Sequence, residues 1–198
     1  VIQSGTLQLL NDSFRLVKST FSGAGNLTFA NGGGVVGPMV LWGANHLTGT
    51  TTVSNGSLFV AYAPNQSLGS TISVRDGATF GVLARADTNY VSPNNLILGS
   101  GTGATLQFGL QGISEPGLTG TNHAPIQAGT VTIHGTATIN IASCPFATNS
   151  YPLFTGYTSG NLVLGSQPLG YAGTLTVSGS TVFYTVTNLD NHYQPFVH

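Results

Sequence analysis

The stretch LWGANHLTGTTTVSNGSLFV, residues 41–60, carries the pattern that decides the fold. It turns at 43–46, runs through a Thr- and Val-rich strand at 51–53, turns again at Asn55-Gly56, and ends on a strand at 57–60. Gly and Asn at the turns tolerate positive φ. Strands this short cannot form a stable sheet with a single neighbour. We therefore expect them to stack on equivalent strands elsewhere in the chain.

Apolar and polar residues alternate along the whole chain, and no stretch has a helical period long enough to predict a helix. The chain is predicted to be all-β, with strands at 6–10, 14–17, 26–30, 35–41, 51–53, 57–60, 71–74, 78–83, 96–98, 104–108, 130–134, 137–141, 153–155, 161–164, 174–178 and 181–186.

Matching strands recur at the length of one coil of a solenoid. Leu7 and Leu27 are 20 residues apart, Leu58 and Phe80 are 22, and Phe80 and Leu106 are 26. Repeats of this size predict a parallel β-helix. Alternation then predicts one continuous core that contains Leu58, Val60, Ile72, Val74, Leu106, Phe108, Val131, Ile133, Leu175 and Val177.

The later coils are longer, and residues 111–128 are predicted to form a surface loop or lateral excursion. Two immunoglobulin-like sandwiches in tandem remain an alternative, since each needs about 100 residues. The short strands and tight Gly turns favour the solenoid. We expect a single solenoid domain over residues 1–187 and a tail or linker at 188–198.

The composition limits the classes of partner. Only 5% of the residues are charged, the net charge is −1, and there are 28 Gly. A nucleic-acid-binding protein would need clustered Lys or Arg, so no nucleic acid is expected as a partner. No segment has the length of apolar residues that insertion into a bilayer requires. Low charge also gives little repulsion between copies, which favours self-association.

Residues 41–60 also resemble the autotransporter-associated β-strand repeat, and the resemblance continues through 68–82. His46-Leu47 stands where the family more often has a Thr-Tyr pair. The segments 151–170, 171–175 and 181–187 are similar to the closing segment that often follows such repeats. The resemblance implies a right-handed parallel β-helix in a large extracellular protein, and hence an extracellular or cell-surface location.

Candidate catalytic residues are few. Polysaccharide-degrading β-helices need convergent carboxylates, and the nearest approach here is Arg75-Asp76 with Arg85 and Asp87. Asp76-Gly77 is typical of a turn, because Asp bonds to the nearby backbone. Cys144 stands alone, with small neighbours that predict a buried thiol. We expect no enzyme activity and no catalytic residues.

Other candidate sites are also weak. The five His, at 46, 123, 134, 192 and 198, lack metal-site spacing, and neither a metal nor an organic cofactor is expected. Trp42 is predicted to lie in the core or in a stacking contact, with a sugar platform as the alternative. The Thr-x-Thr pairs, at 130 and 132, 136 and 138, 174 and 176, and 185 and 187, would suit ice binding if they formed one flat array.

The predicted function is a non-catalytic extracellular structural module, a unit of a surface adhesin or self-assembling fibre. A carbohydrate-binding or adhesive module is the alternative, with surface glycans as ligands; an ice-binding protein and a polysaccharide-degrading enzyme rank below it. The strands at 2–10 and 181–187 are uncharged, and we expect both to be open edges. Copies of the chain, or neighbouring repeats, would then stack end to end.

Overall fold

The computed structural model describes residues 1–32, 37–61, 66–86, 88–111, 123–145 and 147–190. Over these ranges the chain forms strands and turns without any helix, and its parallel sheets stack as a β-solenoid of about six turns. The predicted all-β solenoid is therefore confirmed, and the alternative of two tandem sandwiches is wrong.

Three sheets run along the solenoid. Sheet A has nine strands in the spatial order β1-β4-β7-β10-β12-β14-β16-β19-β18. Their ranges are β1 Thr6–Asn11, β4 Asn26–Asn31, β7 Thr50–Val53, β10 Thr71–Val74, β12 Asn95–Leu98, β14 Ile126–Ile133, β16 Ser150–Tyr157, β18 Tyr171–Ser178 and β19 Thr181–Leu189.

Sheet B has seven strands, in the order β2-β5-β8-β11-β13-β15-β17. They are β2 Arg15–Val17, β5 Met39–Leu41, β8 Ser57–Ala61, β11 Thr79–Leu83, β13 Thr105–Gly109, β15 Thr136–Ser143 and β17 Asn161–Leu164. Sheet C has three two-residue strands, β3 Ser22–Gly23, β6 His46–Leu47 and β9 Ser67–Leu68.

The register confirms the predicted coil spacing. Leu7 pairs with Leu27, and Phe80 lies between Leu58 on one side and Leu106 on the other. The coil that contains the predicted excursion is longer, because Thr71 pairs with Asn95 but Asn95 pairs with Thr130. Residues 112–122 of the excursion lie outside the described ranges. The predicted boundary at 128 is wrong, since β14 already begins at Ile126.

The core lies between the sheets, as alternation predicted. Seven of the ten predicted residues are buried: Leu58, Val60, Ile72, Val74, Leu106, Phe108 and Val131. Ile133 and Leu175 are half-buried at its margin. Val177 is wrongly assigned, because half of its surface is exposed. It lies on β18, at the edge of sheet A, where no further strand covers it within the described chain.

Sheet C is absent from the sequence prediction, which assigned residues 43–46 to a turn. Its strands are too short to show alternation. A buried polar ladder lies beside them: Asn45 donates from Nδ2 to Gly43 O at 2.9 Å and to Gln66 Oε1 at 2.7 Å. Its Oδ1 accepts the Phe21 backbone N–H at 2.9 Å. Asn45 thus joins three successive coils.

The chain reverses direction at the C-terminal end. β19 pairs antiparallel with β16, and β18 pairs antiparallel with β19. The prediction that residues 181–187 form an open last strand is therefore wrong, because β19 has a neighbour on both sides. β19 also continues to Leu189, beyond the predicted start of the tail at 188. Residues 191–198 lie outside the described ranges.

Candidate functional site

Asp76 occupies a turn, and its carboxylate accepts hydrogen bonds from the next coil. Its Oδ1 accepts backbone N–H groups of Ser100 at 2.9 Å, Gly101 at 3.2 Å and Gly103 at 2.9 Å. Its Oδ2 accepts the Ser100 hydroxyl at 2.6 Å. These hydrogen bonds hold the pKa of this carboxyl well below its usual range. The bonds from the Ser100 side chain and backbone lower the pKa most, and the bond from the Gly103 backbone is next. The turn interpretation fits these contacts.

The other residues considered for acid–base chemistry are Arg75, Arg85 and Asp87. Asp87 lies outside the described residues. The backbone N–H of Arg85 donates to Asn89 Oδ1 at 2.9 Å, in a local turn. A carboxyl whose pKa is depressed, as that of Asp76 is, remains ionised at neutral pH and is a poor general acid.

The described histidines and Cys144 are dispersed. His46 and His134 are exposed on different sides of the solenoid, on β6 and directly after β14. Across the described ranges, no group of three or more His, Cys, Asp or Glu side chains could hold a metal ion. Cys144 is buried, as predicted, and burial raises the pKa of its thiol to about 12.

Two predictions concern the surface. Trp42 retains 38% of its surface exposed, so the core position is wrong, and the alternative of a stacking contact stays a prediction. The Thr-x-Thr pairs do not form one flat array, because the pair at 136 and 138 lies on sheet B while the others lie on sheet A. Thr176 and Thr185 instead join neighbouring antiparallel strands, with their hydroxyl oxygens 3.1 Å apart.

The first candidate site is the N-terminal face of the solenoid, which we define by β1, β2 and the side chains of Ile2 and Phe21. In the described chain, β1 and β2 are the edge strands of sheets A and B. β3 is covered by Ile2, whose N–H donates to Ser22 O at 2.7 Å and whose carbonyl accepts from Gly25 N at 2.8 Å. This face contains a groove of about 600 Å³.

Two apolar residues of this face, Leu7 and Leu9, are half-buried, whereas their partners one coil further in are fully buried. Leu7 pairs with Leu27, and Leu9 pairs with Phe29. Leu27 and Phe29 have no exposed surface, while Leu7 and Leu9 are only partly covered. The difference arises because each coil is sealed by the coil that stacks on it.

The second candidate site is a groove of about 360 Å³ on the outer face of sheet A, which we call the β16 groove. It is lined by residues of β14, β16 and β19 and of the segment just before β14: His123, Ala124, Gln127, Ser150, Pro152, Thr155, Thr181 and Phe183. Apart from His123, none of these side chains is ionisable.

Two irregularities in strand pairing flank the β16 groove. β14 and β16 shift register between Gln127 and Val131, and β16 and β19 shift between Pro152 and Phe154. Bulges of this kind bend a strand and redirect its side chains. Gln127 and Thr155 are paired neighbours on one side of the groove, and Pro152 is paired with Phe183 on the other. The groove thus has a polar wall and an apolar wall.

Hydrogen bonding in the β16 groove is incomplete. Ser150 Oγ lies 2.8 Å from Thr185 Oγ1, and Thr155 Oγ1 donates to Ala128 O at 3.2 Å. In contrast, Nε2 of Gln127 is buried and has no hydrogen-bond partner in the described structure. The sequence does not indicate this site, because most of its residues come from strands that alternate in an ordinary way and meet only through the C-terminal reversal.

Comparison with known proteins gives no assignment: no family model matches the chain, and no curated protein matches its sequence. The described part of the chain contains no helix that is both long and apolar enough to cross a membrane.

Proposed function

We propose that this chain is a non-catalytic extracellular structural module that assembles through its N-terminal face. The observation that carries the proposal is the edge of β1, which no other described strand covers and where Leu7 and Leu9 are half-buried above the fully buried Leu27 and Phe29. Apolar burial contributes about 25 cal/mol per Å², so covering these side chains favours association.

The occupant that suits this face is the N-terminal face of a second copy. β1 presents backbone N–H and C=O groups along one edge, and these groups favour pairing with another strand. β1 itself contains no charged residue, so repulsion between the β strands of two such faces is confined to the exposed Arg15 on β2. Pairing of the same face on both partners gives a closed two-fold dimer.

The described C-terminal strands are a poorer partner, because they end in a step. Sheet A continues through β19 and β18 after sheet B has ended at β17. Two strand spacings correspond to about 10 Å. If β1 of one copy paired with β18 of another, β2 would lie about 10 Å from β17. Sheet B would then remain unpaired between the two copies. Head-to-tail growth of a fibre from this unit is therefore less favourable than a dimer of N-terminal faces.

Two features support a structural role outside the cell. Residues 41–60 resemble a repeat of extracellular β-helix proteins, and the surface carries few charges. The stacked parallel strands, joined by backbone hydrogen bonds along the axis, suit a protein that bears load or spaces other groups.

Sedimentation velocity across a range of protein concentrations tests the proposal. We expect the wild-type chain to form dimers as concentration rises and a Leu9→Lys variant to remain monomeric, since the added charge would be buried at the interface. Leu169→Lys is the matched control, because Leu169 is 74% exposed and lies next to the C-terminal strands. A wild-type monomer at every concentration would refute the proposal, and so would open-ended polymers. Circular dichroism establishes that each variant is folded.

A further inference from the structure

From the β16 groove we infer a function that is independent of assembly: it is a binding site for a neutral saccharide. The inference rests on the shape of the groove, on its apolar wall, on its unpaired amide, and on the near absence of ionisable groups among its described lining residues.

The groove has the size of a small-ligand site. Its volume of about 360 Å³ falls within the range of roughly 300 to 1,000 Å³ that is usual for such sites. It lies where the parallel strand β16 meets the antiparallel strand β19, and both of its sides are shaped by bulges. Because bulges are frequent next to functional sites, this position favours a ligand site over an incidental depression.

The apolar wall fits one face of a sugar ring. Phe183 is half-buried and pairs with the buried Pro152. The C–H groups on one face of a pyranose form an apolar surface, which can pack on the ring of Phe183. An aromatic ring that is held by its strand neighbour loses little conformational freedom on binding, so such contacts favour affinity.

The polar wall supplies hydrogen bonds for hydroxyl groups. Gln127 Nε2 is a buried donor without an acceptor, and an unpaired buried donor costs about 1 to 3 kcal/mol. Once the Gln127 side chain turns towards the groove, a sugar hydroxyl can accept from its amide and at the same time donate to Thr181 or Ser150, both of which line the groove. A purely apolar ligand would leave the amide unpaired.

The charge of the site selects against ionic ligands. No Lys, Arg, Asp or Glu is among the described lining residues. No Lys or Arg among the described lining residues would pair with the carboxylate of an acidic sugar, so its desolvation here is unfavourable. We therefore expect neutral oligosaccharides to bind in preference to uronic acids.

The test is a titration followed by ¹⁵N-edited NMR, with the side-chain amide signals of Gln127 as the direct readout. The probes are cellotetraose, maltotetraose, xylotetraose and N,N′,N″,N‴-tetraacetylchitotetraose at millimolar concentrations, with tetragalacturonate as the charged comparison. We expect at least one neutral probe to shift the Gln127 amide signals and tetragalacturonate to leave them unchanged. The inference is overturned if no neutral probe shifts them, or if tetragalacturonate shifts them equally.

Two variants separate binding in the groove from binding elsewhere. Gln127→Leu removes the amide at similar volume and should weaken the affinity for the best neutral probe about five- to tenfold, as expected for one hydrogen bond. Gln107→Leu is the matched control, because Gln107 is half-buried on β13 of sheet B; it should bind as the wild type does. Equal affinities in both variants would overturn the inference.

The amide spectra show whether each variant is folded. Leu9→Lys should bind the probe as the wild type does, so that loss of assembly and loss of saccharide binding can be told apart.

Discussion

Asp76 and Ser100 join two successive coils through a carboxylate that accepts both the Ser100 hydroxyl, at 2.6 Å, and the Ser100 backbone N–H, at 2.9 Å. Further bonds from Gly101 and Gly103 complete the arrangement. Four donors converge on one side chain, so the turn after β10 is fixed to the turn after β12. Sequence analysis identified Asp76 as a turn residue, but its donors come from the next coil.

The Asp76 contacts predict a pH-dependent stability. Because the pKa of Asp76 is lower in the folded than in the unfolded chain, its stabilising effect is present above the unfolded pKa near 3.8 and is lost as pH falls below that value. We expect Asp76→Asn to lower the melting temperature by a few degrees at pH 7, with a difference that shrinks towards pH 2. Asp12→Asn, at an exposed position, is the control. A difference that is constant with pH would contradict the assignment.

The buried Asn45 predicts a large loss of stability on truncation. Asn45→Ala would leave the Phe21 N–H without its acceptor and the Gln66 oxygen without its donor. We expect the free energy of unfolding, measured by urea denaturation, to fall by about 2 to 4 kcal/mol. Asn188→Ala, at an exposed site on β19, should change it by less than about 0.5 kcal/mol. Similar values for the two variants would show that the ladder contributes little.

The core boundary can be tested with a second pair of variants. Phe80 is fully buried between Leu58 and Leu106, so Phe80→Ala should lower the free energy of unfolding by about 3 to 5 kcal/mol. Val177→Ala, at the half-exposed position on β18, should cost less than about 1 kcal/mol. A large loss of unfolding free energy for Val177→Ala, measured by urea denaturation, would show that this residue belongs to the core.

Burial of Cys144 predicts low reactivity. Since the pKa of its thiol is raised to about 12, almost no thiolate is present at pH 8, and the thiolate is the reactive form. Iodoacetamide should leave Cys144 unmodified in the native protein and alkylate it fully in urea, as measured by mass spectrometry. Ser180→Cys, at an exposed turn, should react at once in the folded protein. Rapid native alkylation at Cys144 would mean that this part of the core opens readily.

The strands and the coil spacing could be predicted because alternation is a local signal. Leu58, Phe80 and Leu106 are in register in the structure, as their spacing indicated. Features that depend on contacts between coils could not be predicted in this way. The ladder of Asn45 and Gln66 crosses 21 residues of chain, and neither residue is distinguished by its neighbours.

Reversal of the chain at β19 was hidden for a different reason. A strand that pairs antiparallel has the same alternation as one that pairs parallel, so the pattern at 181–186 does not reveal its direction. The β16 groove depends on that reversal and on two bulges, which is why the sequence did not indicate that these residues form one site.

The central claim, that copies associate through their N-terminal faces, is tested most directly by a distance between two protomers. A spin label is attached at Gln8→Cys, an exposed position of β1, in a Cys144→Ala background that removes the only native thiol. Pulsed electron–electron double resonance then measures the separation of the labels. Adjacent β1 strands predict a distance below about 30 Å, since a six-residue strand spans roughly 20 Å. Head-to-tail stacking would separate the labels by the height of the nine-stranded sheet A, about 40 Å or more, and that result would contradict the account.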